Sequence, residues 1–238
     1  LGAPHVALGF AGGATGDECE AWLQARGFHH RLFRTGGSTR VGTVVRTTNR
    51  PETTFLGPDV PPDAAAAAAC AAFLEAQPAG TVLAVCGSLP GWATPALQPL
   101  RDTIARWVRR GILAVDTYGT PLADLVTLGP DLVKINAQEL AGLPEPSHPE
   151  FAPQRTRWIL TDGPGPVRVR DADGERTFPP PQVTEVSPTG SGDVLFACVL
   201  AALYQRGDTL DSAVRRALPY AAANAAHPGI AEFPEPAA

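Results

Sequence analysis

Thr189-Gly-Ser-Gly-Asp193, running directly into the apolar stretch Val194 to Tyr204, is the part of the sequence on which the fold turns. An extended segment entering a nearly all-apolar helix through glycines lets backbone N–H groups approach an anion, and the helix start adds partial positive charge. A carboxylate in that first turn can take the proton of an attacking hydroxyl as the anion is transferred. Asp193 can equally serve only to complement the helix dipole, and the pattern alone leaves both roles open.

Outward from this turn the chain alternates. His5 to Phe10 reads as a strand ending in glycines, with Asp17 to Arg26 as the following helix. Thr81 to Cys86 reads as a buried strand, Leu97 to Arg110 as an amphipathic helix and Ile112 to Asp116 as a strand. Leu132 to Asn136 is another strand, before a short helix around Gln138 to Leu143. Such alternation implies a mostly parallel sheet covered on both faces. Two stretches interrupt it: Arg31 to Thr48, rich in Thr, Val and Arg and expected to form lid strands, and a hairpin around Asp173-Gly174. Val194 to Tyr204 and Leu210 to Ala226 read as two apolar helices. Pro144 to Pro153 is a loop too short to divide domains, so residues 1–238 are expected to form a single domain.

The 238 residues suffice for a sizeable core, and the net charge of −5 argues against a nucleic-acid partner. Four cysteines, none in a C-x-x-C pair, fit a reduced, cytoplasmic chain. The most apolar window, Ala64 to Leu74, is far short of the roughly 20 residues a membrane span needs. Methionine is absent even at position 1, so Leu1 is expected to lie inside a longer natural chain.

Gly190-Ser-Gly-Asp193 before a buried helix resembles the G-[AS]-G-D signature of the ribokinase-like (phosphofructokinase B) carbohydrate kinases. Other segments follow that family's order. Leu8 to Gly16 is similar to its second strand and turn, and Ser38-Thr-Arg-Val-Gly42 to its T-R-x-N lid strand. Cys86-Gly-Ser-Leu-Pro-Gly91 is similar to its S-G-S-L-P-P-G loop and Val115-Asp-Thr-Tyr-Gly119 to its L-D-T-S-G. Lys134-Ile-Asn-Ala-Gln-Glu139 resembles K-P-N-x-x-E, and Thr161-Asp-Gly-Pro-Gly165 a shortened S-x-G-x-x-G. Ser191, with Ser187-Pro188 upstream, is most similar to the branch of tagatose-6-phosphate kinase and 1-phosphofructokinase. Gly42, where the lid strand usually has asparagine, departs from that branch.

The resemblance implies a three-layer α/β/α fold with a partial β lid, and ATP-dependent, Mg²⁺-assisted phosphorylation of a sugar or sugar phosphate. It implies Asp193 as base and Gly190, Ser191 and Gly192 as N–H donors to the transferring phosphoryl group. Lys134 would reach the ATP phosphates. Thr161, Gly163 and Gly165 would lie along the nucleotide, and Asn224 would line the adenine pocket. Arg40 and Ser88 would receive the acceptor's own phosphate. Asn136 and Glu139, three residues apart at a strand-to-helix junction, would hold nucleotide-borne Mg²⁺, although the same pair can act as a helix capping box. Asp116 ends a buried strand, where a turn-capping role accounts for it equally well.

The family's opening strand with N-P-x-x-D and its G-G-K-G-x-N turn have no counterpart in this sequence, so part of the sugar site is expected to be missing. The resemblance also implies a homodimer paired through the lid. The alternative is a nucleotide-binding relative or fragment without catalysis, and a third option is a vitamin or nucleoside kinase of the same superfamily.

Overall fold

The computed structural model describes residues 5–47, 50–150, 155–234 and 236. Leu1, Thr48 and Pro153, which bound three of the expected segments, lie outside them. The chain divides into two compact units: a smaller one of Pro4–Thr81 with Ser88–Arg110, and a larger one built chiefly from Val82–Gly87 and Gly111–Ala238.

In the smaller unit, β1 (Ala7–Ala11) pairs parallel with β2 (His30–Arg34) around α1 (Gly13–Ala25). The helix starts four residues before the expected Asp17. Thr39 bonds both sides of Gly12, its hydroxyl accepting from Gly12 N–H and its own N–H donating to Gly12 O, so the chain turns straight from strand into helix. Residues 31–48 do not all form lid strands. Residues 31–34 lie in β2, while β3 (Gly42–Thr47) pairs antiparallel with β4 (Arg50–Leu56) as a separate ribbon. The division follows burial: Phe33 is buried, whereas β3 has no buried residue.

Helix α2 (Ala64–Glu75) opens on Asp63, whose carboxylate accepts from Ala66 N–H. Ala66, Ala67, Cys70, Ala71 and Leu74 form its buried stripe, and α2 packs with α3 (Gln98–Trp107), which buries Leu100, Ile104 and Trp107.

The larger unit carries a six-stranded sheet in the order β10-β9-β8-β7-β6-β5. Strands β5 (Val82–Gly87), β6 (Ile112–Thr117), β7 (Leu132–Asn136) and β8 (Arg157–Thr161) are parallel. β9 (Val167–Asp171) and β10 (Gly174–Phe178) are antiparallel and form the Asp-Gly hairpin. β5 is an edge strand of this sheet and not the buried strand its apolar sequence implies: Val85 is buried, but Ala84, Cys86 and Gly87 are exposed.

Helices α4 (Gly119–Thr127) and α5 (Ala137–Ala141) follow β6 and β7, and α6 (Ser191–Gln205) and α7 (Leu210–Ala225) close the chain. Ala114, Leu132, Ile159, Val167, Val169 and Phe178 form one core with Leu195, Val199, Ala213 and Ala217 of α6 and α7. Successive strand residues face opposite sides of a sheet. Ala114 of β6, Leu132 of β7 and Ile159 of β8 therefore place Asp116, Lys134 and Thr161, each an even number of residues further on, on the face that α6 and α7 cover.

Candidate active site

That parity brings polar side chains together at the carboxyl ends of parallel strands, the usual place for function in α/β proteins. Asp116 stands beside Cys86 in the β5–β6 register, and Asn136 beside Thr161 in the β7–β8 register. Lys134 Nζ donates to both oxygens of Asp116 at 3.1 Å, and both side chains are buried. Burial raises the Asp116 carboxyl to about 6 even though the Lys134 ammonium pulls it back down. Lys134 was expected to extend toward ATP phosphates; here its ammonium is turned inward because an unpaired buried charge would be costly.

Lys134 lies directly against the start of α6. A Cβ built on Gly192 would come within 2.6 Å of Lys134 Nζ, so a side chain there would require the ammonium to shift. The preceding Gly190 caps α6 in the left-handed region, with φ +84°, a conformation that glycine adopts without penalty. The cap makes no side-chain hydrogen bond. Among the described residues the N–H groups of Gly190, Gly192 and Asp193 have no hydrogen-bond acceptor. The three expected donors need one correction. Ser191 N–H donates to Pro188 O at 3.1 Å, so it is occupied, and the Asp193 amide takes its place among the free donors.

The Asp193 side chain is exposed and has no hydrogen-bond or ion-pair partner among the described residues. Its charge is felt by both Asp116 and Cys86, which places it on the side of the sheet where those residues lie. Free amides, a lysine charge beneath them and an uncommitted carboxylate at one helix start form an arrangement able to bind an anion and accept a proton.

Asn224 does not line an open pocket. It is fully buried, with Nδ2 donating to Thr189 O at 3.0 Å and to Ser191 Oγ at 2.9 Å. Its Oδ1 accepts from Ala231 N–H at 2.7 Å. Held by these bonds, the residue braces the 189–191 turn from α7. Thr161 ends β8, and Gly165 N–H donates to Asp162 O at 2.8 Å, closing the expected turn through Gly163.

Asn136 and Glu139 form a reciprocal capping box. Asn136 Oδ1 accepts from Glu139 N–H and Glu139 Oε2 accepts from Asn136 N–H, both at 2.8 Å. Glu139 keeps its second oxygen uncommitted among the described residues. No group of three or more His, Cys, Asp or Glu side chains able to hold a metal occurs there. One free carboxylate oxygen fits Mg²⁺ arriving with phosphates and most of its water, not an all-protein cage.

In the smaller unit, Arg40 and Ser88 also prove to be neighbours, linked by Asp59, whose Oδ1 accepts from Arg40 Nη1 at 2.5 Å and Ser88 Oγ at 3.3 Å. Two partners in these contacts stand outside the expected site residues: Asp116, weighed against a turn-capping role, and Asp59. Asp116's place at the end of an apolar strand was the available signal; Asp59, in a Pro-rich loop, gave none.

The chain matches the pfkB family carbohydrate kinase model over residues 1–238. It belongs to the pfkB family of carbohydrate kinases. It is 30% identical over 145 residues to 1-phosphofructokinase of Borreliella burgdorferi, a match covering 60% of this chain and 46% of that protein. The chain thus spans about half the length of the curated relative it matches. Phosphofructokinase-2 of Escherichia coli, solved in complex with potassium, superposes with a TM-score of 0.84 at 21% identity, over 97% of this chain and 78% of that one. Ribokinase of Giardia lamblia does so with a TM-score of 0.71 at 13% identity, over 95% and 79%. These structures establish a ribokinase-like fold. No helix among the described residues is long and apolar enough to cross a membrane.

The buried pair makes stability depend on pH. The folded-state value of Asp116 lies above the ordinary carboxylate value of about 4, so the folded protein binds this proton more tightly than the unfolded chain. Its stabilising contribution is fully present below about pH 4 and is lost as pH rises through about 6. Urea unfolding of wild type and Asp116→Asn between pH 4 and 7 should show the wild type losing ground to the variant as pH rises. A difference between them that stays constant across this window contradicts the account.

Proposed function

We propose that the protein is an ATP-dependent kinase that phosphorylates a hydroxyl of a sugar phosphate. The observation that carries this reading is the meeting, at the start of α6, of three free amides with an exposed carboxylate that nothing else engages. The family and the 1-phosphofructokinase relative support the substrate class.

Phosphoryl transfer depends on alignment and on stabilising the charge spread over the equatorial oxygens. The amides of Gly190, Gly192 and Asp193 donate to those oxygens, and the Lys134 charge adds its field from below Gly192. Asp193 takes the proton of the acceptor hydroxyl as that oxygen bonds to the γ-phosphorus. The bond from the γ-phosphorus to the β,γ-bridging oxygen breaks, and ADP departs with the electron pair. The turn Thr161–Gly165 supports the nucleotide, and Asn224 keeps Thr189 and Ser191 in place. Glu139, positioned by Asn136, would hold Mg²⁺ through its free oxygen and bound water, and that ion would neutralise phosphate charge. Arg40 and Ser88 receive the phosphate already present on the acceptor.

Four cysteines that remain free among the described residues suit a reducing, cytoplasmic setting. The β3–β4 ribbon exposes Val45 and Phe55 on one face, with Phe55 62% exposed, and an apolar surface of this kind favours pairing with a second copy through the ribbons.

Two experiments test the reading. Asp193→Asn should lower acceptor-dependent ADP release by about 100-fold or more, with ATP affinity unchanged in calorimetry; undiminished turnover removes Asp193 as the base. ATP binding without any acceptor-dependent turnover in the wild type would identify a non-catalytic nucleotide binder. In sedimentation, Phe55→Asp should convert a dimer to a monomer, and a wild type that sediments as a monomer rules out pairing through the ribbon.

A further inference from the structure

Arg40 and Ser88 belong to different segments of the smaller unit, yet they point at a single atom. Asp59 Oδ1 accepts from Arg40 Nη1 at 2.5 Å and from Ser88 Oγ at 3.3 Å. Arg40 is half-buried, with its side chain 28% exposed, and Asp59, 45% exposed, is its one ion-pair partner among the described residues. Two donors converging on one anionic oxygen mark the position an oxygen of a bound phosphate would take, because guanidinium and hydroxyl make the same charge-assisted bonds to either anion.

We propose that Asp59 is an internal stand-in for the acceptor's phosphate and sets how strongly the site favours phosphorylated over free sugars. The proposal rests on the reading of Arg40 and Ser88 as a phosphate subsite. A phosphate monoester carries close to two negative charges at neutral pH and can bind the guanidinium fork through two oxygens, so it outcompetes a single carboxylate. A free sugar brings no charge to exchange, and Arg40 stays on Asp59. The carboxylate therefore lowers the affinity of every phosphorylated acceptor by the worth of the pair it forms, and like-charge repulsion adds to the effect once a phosphate is seated.

An exposed ion pair of this kind corresponds to about a two- to fivefold change in affinity. Calorimetry with fructose 1-phosphate, fructose 6-phosphate, fructose and inorganic phosphate, on the whole chain, tests the idea. Asp59→Asn should tighten binding of a phosphorylated sugar about two- to fivefold and leave fructose unchanged. Arg40→Ala should weaken the phosphorylated sugar, and adding Asp59→Asn to it should then give no gain. If Arg40→Ala weakens binding while Asp59→Asn weakens it or leaves it unchanged, the stand-in role is wrong and the phosphate subsite stands. If Arg40→Ala has no effect, or the wild type binds neither sugar phosphate, the subsite reading fails and the proposal with it. Thermal melts of each variant show whether an affinity change reflects lost structure.

Discussion

A lysine ammonium buried beneath a helix start is tolerable only if a carboxylate shares its burial, and the larger unit is arranged around that requirement. Lys134 and Asp116 satisfy one another across β6 and β7, and Gly192 lies against the ammonium because it has no side chain to hold it away. The positive charge is thereby fixed on the side of the sheet where α6 begins with free N–H groups. Parallel strands ending together, a left-handed glycine cap and an apolar helix anchored in the core all serve to hold a charge and a set of amides in one place.

Each unit holds an ion pair between a basic side chain and an aspartate, and the two pairs differ in burial. The larger one has the amides, the buried lysine and Asp193, which suit a phosphoryl group in transit. The smaller one has Arg40, Ser88 and Asp59, which suit a phosphate that stays where it is. In the first, the pair is buried and held in place by two hydrogen bonds. In the second, an exposed pair makes the positive charge available only to an anion strong enough to displace the carboxylate. Burial separates a structural ion pair from an exchangeable one, and it makes breaking the first far more destabilising than breaking the second.

Much of the larger unit was legible in the sequence because its signals are local. Glycines before an apolar run, apolar pentamers and an Asp-Gly turn each encode an element within a few residues. The Asn136 and Glu139 capping box is of the same kind. What escaped depends on partners distant in sequence. Nothing near Lys134 announces that Asp116, 18 residues away, will draw it inward. Asn224 looks like an ordinary helix polar residue until Thr189 and Ser191 are seen to need it. β5 has the composition of a buried strand, and only the strand order puts it at an edge.

The account's central claim is that the start of α6 is where a phosphate changes owner. A crystal structure of the protein with Mg²⁺ and a non-hydrolysable ATP analogue tests it most directly. The terminal phosphate should lie within about 3 Å of the Gly190, Gly192 and Asp193 amide nitrogens, with the Asp193 carboxylate facing the open side of the phosphorus. Triphosphate density elsewhere on the chain, with those amides bonded to water or protein, would contradict it.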